Sequence, residues 1–572
     1  MPNVQKVQLS FNLIAALISL WLLSSLYFVN LDFDDGYATI VNAQYLLGIT
    51  PEYFMQRGPA MAVALMPAEW LASALGLHPL NVRPHHATMV LLHLIYLLGS
   101  WVLLTREHDR SWPVLLAYVA AIPSFLFFSY APFISHDIFP GLLLLLMLWG
   151  ANKYTQTSRS AWLIALVMLG TLSALIKQSF ALFWVATLVA VATTLVIERR
   201  PLREAVRCVF LLFSSAALSG AITWCLYAWI LASSFPAVPY IWRPWAQAVL
   251  ISEYFGQAGP ISEMFYWWVY LRNLPAYGVL TMALIIPGLV LSLGAGSRLQ
   301  RMIAIAWIVL VACMHCIDFK EVRYLGMLAP LTAFLIVPAI TAVIQIRRSY
   351  AAILLAVLAF DFVGVTREAA RIGDPYYANE VTHFLEPLPS VNAAHTKVVL
   401  AGALSFVSPE PYAFYGDRFH RITNLVDVAV RNLYGYQRAT ADMLPSGAAL
   451  EPPQISEGTW VFFVNQIATR VPPFSAQRRS GLDQHFSQIL SRAEWITLRR
   501  DGARYWMTEP GAEAVLLMPL PAAAREQPLI ETTSFDANSL KRMRQISGDP
   551  SRIRVLGFRI KRYCNLAGCG QG

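Results

Sequence analysis

Asp34 and Asp35 stand side by side just past an apolar run, Phe11–Val29, in the string Leu31-Asp32-Phe33-Asp34-Asp35-Gly36-Tyr37. Carboxylates at the end of a membrane-length run are costly to desolvate and mark a place that uses charge. Adjacent residues cannot send both side chains the same way in regular structure. One of the pair is thus a working group and the other an orienting, metal-binding or hydrogen-bonding partner. At a partly dry edge a carboxylate tends toward a raised pKa, which suits a general base taking a proton from a nucleophile. The plain alternative is a solvated acidic loop.

Three further groups carry chemistry. Ser135-His136-Asp137 opens a later apolar run. Ser135 or Asp137 can cap a helix there, and His136 beside Asp137 can bind a metal or hold an acceptor. Lys177 ends another run, where it either snorkels to headgroups or meets a phosphate as a point charge. In Lys320-Glu321-Val322-Arg323-Tyr324, Arg323 can grip phosphate oxygens with two donors, or anchor at the interface with Tyr324. The chain holds no Gly-x-Ser-x-Gly elbow, no HExxH and no Walker A loop.

The elements that position these groups are apolar spans. Of 572 residues, 57% are hydrophobic and 13% charged, against about 25% charged in soluble chains. Mean hydropathy is +0.51. About eleven runs qualify, from Phe11–Val29 through His86–Thr105, Trp112–Ala131, Phe139–Ala151, Ala161–Ile176 and Ala181–Ile197, then Cys208–Leu231, Tyr277–Leu293, Met302–Ile317, Leu325–Ile346 and Tyr350–Val365. No cleavable signal peptide is evident, so the first run reads as an uncleaved span.

The cations orient the spans. Lys6, Arg106, Arg110, Lys153, Arg159, Arg199, Arg200, Arg203, Arg207, Arg298, Arg301, Arg347 and Arg348 all fall on one side if the spans alternate. The positive-inside rule makes that side the cytoplasm, with the N-terminus in it. Net charge +9 is thereby spent on topology, and no nucleic-acid partner is expected. Asp34, Asp35, His136, Asp137, Lys177 and Arg323 then share the outer face, away from cytosolic nucleotides.

Two outer loops accompany them, over 30–84 and 232–273. In the first, Ala60–Leu75 reads as a helix along the outer surface. In the second, Trp242, Trp245, Trp267 and Trp268 suit pieces lying at the interface. After residue 366 the character changes. Lys397–Gly402, Trp460–Val464 and Trp495–Leu498 read as strands, with Arg552–Arg562 as an edge strand. Tyr376–Glu386, Glu410–Tyr415 and His485–Ser491 read as helices between them. The alternation predicts an extracytoplasmic α/β domain over 367–572, after a membrane domain over 1–366. Cys564 and Cys569 can close a small disulfide loop in an oxidising compartment, whereas Cys208, Cys225, Cys313 and Cys316 read as packing residues.

Taken in order, these motifs resemble the GT-C superfamily of membrane glycosyltransferases, in the branch of the protein O-mannosyltransferases, aminoarabinose transferases and RgtA/B/C/D-like bacterial enzymes. Phe33-Asp34-Asp35-Gly36-Tyr37 is similar to its acidic motif after the first span. Arg57-Gly58-Pro59 through Gly76 is similar to its juxtamembrane segment, and Val82-Arg83 to its arginine before the second span. His136-Asp137 matches the second acidic motif, Gly170 through Lys177 the glycine-to-lysine stretch, and Arg323-Tyr324-Leu325 with Pro330 the Arg-Tyr motif. The chain departs from the pattern at Gln178-Ser179, where relatives often have Gly or Pro, and in lacking a second proline after Pro59.

The resemblance implies an α-helical polytopic membrane protein of GT-C type in a bacterial inner membrane, with its α/β domain in the periplasm. It implies sugar transfer from a polyprenyl-phosphate donor to an extracytoplasmic acceptor: lipid A or another glycolipid, a glycan or a protein. Asp34 would be the base in an inverting attack. Asp35, His136 and Asp137 would position the acceptor or a divalent metal, which some relatives bind. Lys177, Arg323, Arg57, Arg83 and Tyr324 would bind the donor phosphate. The competing class is a transporter or flippase for a lipid-linked or anionic substrate. Transporters more often hold such charges near the bilayer midplane on broken helices in two related halves. No internal repeat is visible here.

Overall fold

A computed structural model describes residues 2–28, 34–49, 53, 58–77, 82–232, 238–248, 277–316, 322–347 and 349–372, and the strand residues 397–400, 421–424, 459–464, 495–499, 509–517, 554–556, 564–565 and 568–569. The helices are α1 (Pro2–Phe28), α2 (Asp34–Leu46), α3 (Pro59–Ala74), α4 (Arg83–Glu107), α5 (Trp112–Ala121), α6 (Phe125–Tyr130), α7 (Pro140–Thr157), α8 (Ser160–Ile176), α9 (Leu182–Ile197), α10 (Leu202–Ile230), α11 (Val279–Gly294), α12 (Arg298–Cys316), α13 (Ala329–Ile346) and α14 (Tyr350–Ile372).

Among the described residues, six helical stretches are long and apolar enough to cross a membrane. These lie at Val4–Tyr27, Arg83–Glu107, Gln178–Ile197, Leu202–Ile230, Arg298–Cys316 and Arg323–Ile346. Four shorter apolar helices (Trp112–Ala121, Ser160–Ile176, Val279–Gly294 and Tyr350–Thr366) and α7 occupy the other expected spans. The chain is a multi-pass membrane protein. Leu9, Leu13 and Leu20 on α1 and Phe210, Phe213 and Trp229 on α10 are exposed, as lipid-facing side chains are.

Proline punctuates the bundle. Pro59, Pro84, Pro113 and Pro140 stand in the first turns of α3, α4, α5 and α7, where a missing N–H costs nothing. Pro123 has the opposite effect. The expected third span, Trp112–Ala131, is split into α5 and α6 around it, because its ring clashes with the preceding turn and withdraws a donor. α6 ends at Tyr130, and a buried non-helical stretch over 131–139 leads into α7.

The core is built of aromatic and aliphatic contacts between spans. Phe11 of α1 stacks on Trp101 of α4 at 4.2 Å between centroids and meets Tyr118 of α5 edge-on. α8 and α9 pack so closely that a Cβ on Gly170 would stand 2.0 Å from Trp184 Nε1.

The strands are β1 (Lys397–Leu400), β2 (Arg421–Asn424), β3 (Thr459–Val464), β4 (Trp495–Arg499), β5 (Glu509–Leu517) and β6 (Arg554–Leu556). They form one mixed sheet, ordered β2-β1-β3-β5-β4, with β6 on β5. β1 runs parallel to β2 and β3, and β5 antiparallel to β3 and β4. Parallel neighbours need long crossovers, which is why strands read as alternating with helices belong to such a sheet. The helices expected at Tyr376–Glu386, Glu410–Tyr415 and His485–Ser491 lie outside the described residues, as does Arg57. β2 and β5 were not expected. β7 (Cys564–Asn565) and β8 (Gly568–Cys569) form a hairpin with Cys564 directly opposite Cys569.

Candidate functional site

The site is assembled by three breaks in helical structure. The first is the 131–139 stretch, where Ser135 Oγ accepts a 3.3 Å hydrogen bond from the Asp137 amide. The second is Lys177. Its extended backbone (φ −153°, ψ 127°) ends α8 before the 3-10 turn Gln178–Ala181 starts the next span. The third is the 3-10 turn Val322–Leu328, which carries Arg323 and Tyr324 ahead of α13.

These breaks meet. Asp137 is buried, and each carboxylate oxygen faces one cation. Lys177 Nζ donates to Oδ1 at 3.0 Å, and Arg323 Nε stands 3.3 Å from Oδ2. The Lys177 ammonium also lies over the Tyr324 ring, 3.9 Å from its centroid. Burial alone would push the Asp137 carboxyl up. Lys177 and Arg323 outweigh burial and hold it below the ordinary carboxylate value.

Close backbone contacts fix the arrangement. A Cβ on Gly58, just before α3, would stand 1.9 Å from Leu175 O, so only glycine lets that segment reach the end of α8 beside Lys177. A Cβ on Gly141 would stand 2.5 Å from Met327 O, which docks the start of α7 on the Arg323 turn. Tyr277 donates its buried hydroxyl to Leu325 O on the same turn.

Asp34 and Asp35 open α2, where the helix dipole favours negative charge. The backbone there is helical rather than a loop. Their side chains lie outside the described residues, but the helix is held at two points. Thr39 Oγ1 and His136 Nε2 share a 3.0 Å hydrogen bond, both buried. Thr39 is four positions after Asp35 and so on its helix face. Farther along, Gln44 Nε2 donates to Glu69 Oε1 of α3 at 3.2 Å, and that oxygen is 2.8 Å from His85 Nε2 of α4.

The structure thereby brings Asp137, Lys177, Arg323 and Tyr324 together, with His136 fastened to α2. Arg83 is placed against the end of α1, donating to Tyr27 O at 3.1 Å. The described residues do not fit a divalent metal at Asp137, since a third cation would meet two positive side chains already on its oxygens. Among the described residues no three His, Cys, Asp or Glu side chains converge for a metal. Sequence reasoning missed Thr39, Tyr277 and the Gln178–Gln247 pair, whose side chains bond at 2.7 Å with Gln247 fully buried.

Two crystal structures of ArnT from Cupriavidus metallidurans superpose on this architecture, one apo (TM-score 0.53, 12% identity) and one bound to undecaprenyl phosphate (TM-score 0.55, 13% identity). Each match covers 89% of this chain and 97% of that one. The chain has the GT-C fold. The same GT-C fold matches the archaeal oligosaccharyltransferase AglB from Archaeoglobus fulgidus, in complex with an inhibitory peptide and a dolichol-phosphate, at TM-score 0.50 and 12% identity over 92% of this chain and 75% of that one. No family model and no curated protein matches the sequence. The GT-C architecture expected from the ordered motifs is thus carried by the backbone at very low sequence identity.

Proposed function

We propose that the protein transfers a sugar from a polyprenyl-phosphate donor to an acceptor outside the cytoplasm. The observation that carries this reading is the convergence of Lys177 and Arg323 on Asp137. Two cations from separate spans, meeting on one carboxylate beside a helix that begins with two aspartates, suit a phosphate leaving group facing a nucleophile. The undecaprenyl phosphate in ArnT and the dolichol-phosphate in AglB, proteins of the same fold, support a donor of that class.

In this reading Asp34 takes the proton from an acceptor hydroxyl. The hydroxyl oxygen attacks the anomeric carbon from the face opposite the phosphate, and the bond from that carbon to the phosphate oxygen breaks with inversion. Negative charge grows on the leaving phosphate, where Lys177 and Arg323 stabilise it. Asp35 and His136 position the acceptor side, with Thr39 holding His136 against α2. Asp137 keeps the two cations apart and aimed at one point. Tyr324 backs the ammonium, and Arg57 and Arg83 serve the donor from the outer loop. Residues 1–366 form the membrane transferase unit and 367–572 an α/β domain on the periplasmic side of a bacterial inner membrane.

The test is mass spectrometry of envelope glycolipids and glycoproteins from cells carrying wild-type protein or Asp34→Asn. A sugar-sized increment present only with wild type is expected, and it names the acceptor class. Identical spectra, with the variant stably inserted, would sink the reading and point to transport of a lipid-linked substrate.

A further inference from the structure

A second charged cluster lies at the other end of α9 from Lys177. The 16 residues of α9 put it roughly 24 Å away along the helix. Its centre is Glu198, just past Ile197. Arg298, in the first turn of α12, grips Glu198 fork to fork, with Nε donating to Oε1 at 2.9 Å and Nη2 to Oε2. Arg298 Nη1 also donates to Thr155 Oγ1 at 3.4 Å. The Ser297-to-Gln300 capping box fixes the start of α12: the Ser297 amide donates to Gln300 Oε1 at 2.8 Å, and the Gln300 amide to Ser297 Oγ at 3.3 Å.

One arginine therefore satisfies the carboxylate, yet two more approach it. Arg200 Nε and Arg301 Nη1 each stand 3.8 Å from a Glu198 oxygen, beyond hydrogen-bond reach. Arg301 Nε is buried with no hydrogen-bond partner among the described residues. Three guanidiniums around one carboxylate leave two positive charges unbalanced, and a buried donor without an acceptor is costly. Arg199, Arg203 and Arg207 add to the positive surface, with Glu204 alone opposing them nearby in sequence.

The surroundings select the missing anion. Val196, two positions before Glu198, and Leu202, two after Arg200, are 73% and 79% exposed. Apolar side chains next in sequence to a cationic cluster at the end of a membrane helix match a headgroup with its acyl chains alongside. We propose that Arg200 and Arg301 hold the phosphate of an anionic phospholipid at the membrane face opposite the Asp137 cluster. The lipid phosphate supplies the acceptors that Glu198 cannot and neutralises the repulsion among the three arginines. It thereby braces the α9–α12 contact on which the Lys177 end of α9 rests.

The experiment uses the full-length protein in detergent, delipidated and then given phosphatidylglycerol or phosphatidylcholine, with retention read by native mass spectrometry. Wild type is expected to favour phosphatidylglycerol by roughly fivefold or more, and Arg200→Gln/Arg301→Gln to lose that preference. Equal retention of the two lipids by wild type, or an undiminished preference in the double variant, overturns the proposal. Millimolar inorganic phosphate that displaces phosphatidylglycerol and raises the melting temperature equally would make this a free-anion site and overturn the lipid assignment. Should the double variant not fold, photoactivatable phosphatidylglycerol on wild type decides. Labelling within 196–210 or 298–301 supports the site, and labelling only elsewhere refutes it.

Discussion

Thr39 and His136, 97 positions apart in the chain, share one buried hydrogen bond of 3.0 Å. Through it, the helix that starts with Asp34 and Asp35 is tied to the residue next to Asp137. A threonine hydroxyl is therefore one of the ties that hold this helix against the 131–139 stretch. Thr39→Val removes that hydroxyl at constant shape and with it the hydrogen bond to His136, at a cost of about 0.5–1.5 kcal/mol. Turnover should fall about tenfold or more with KM for the donor nearly unchanged, because a misplaced base loses rate rather than binding. Thr39→Ser should restore it. A purified-enzyme assay with a synthetic donor measures both, and an unchanged kcat in Thr39→Val would remove Thr39 from the positioning scheme.

Lys177→Ala and Arg323→Ala should each lower transfer by about 100-fold, the usual scale for deleting a group that meets developing charge. The two losses should not add, since both cations hold the same carboxylate. A double-mutant cycle on kcat/KM checks this. Strict additivity would mean that the two cations act at separate places.

Asp137 makes a pH prediction with a definite sign. Its folded carboxyl is depressed, because Lys177 and Arg323 overcome the effect of burial. A depressed acid stabilises the fold fully above its unfolded value, the ordinary 3.8. That contribution shrinks as the pH falls from 3.8 toward the depressed folded value and is gone below it. The melting temperature should accordingly be flat on this account down to about pH 4 and drop below it. Asp137→Asn should be less stable at neutral pH and lose that acid limb. An acid limb of the same size in Asp137→Asn would assign the effect to another carboxylate.

Asp361, on α14, caps a different helix. Its Oδ1 accepts from the Val279 amide at 2.8 Å and its Oδ2 from the Leu280 amide at 3.0 Å, at the start of α11. Gly278 there has φ +97°, and a Cβ would strike the Asp361 carboxylate. Tyr277, next in line, holds Leu325 O on the Arg323 turn. Asp361→Leu should cost about 1–2 kcal/mol, the scale of a lost cap. It should also raise KM for the donor, as should Tyr277→Phe. Thermal unfolding together with steady-state kinetics reads both, and an unchanged KM in both variants would uncouple this end of α11 from the site.

Cys564 and Cys569 face each other across the β7–β8 hairpin, a register that a disulfide can close. Thiol alkylation of protein from an oxidising compartment should leave this pair unlabelled until reduction. Immediate labelling of both would exclude the bridge.

Charged residues in this chain were legible because apolar runs surround them. Asp137, Lys177 and Arg323 each stand at the edge of a span, where desolvation makes a charge conspicuous, and the order of motifs was enough to anticipate the GT-C architecture. Strands β1, β3 and β4 were legible as short apolar runs in a polar region, while β2, Arg421–Asn424, has no such contrast. The break at Pro123 follows from local sterics, yet the hydropathy of Trp112–Ala131 masked it.

Pairing was not legible. Nothing local marks Thr39 among the threonines, or says that Asp361 reaches back 82 positions to cap α11. That both cations take the same carboxylate is likewise invisible until α7, α8 and the Val322–Leu328 turn are packed. Span identity and end charges follow from short-range hydropathy, which the chain encodes residue by residue. Which buried donor meets which acceptor depends on helix packing to within an ångström, and backbone contacts at Gly58 and Gly141 set it only after the spans have assembled.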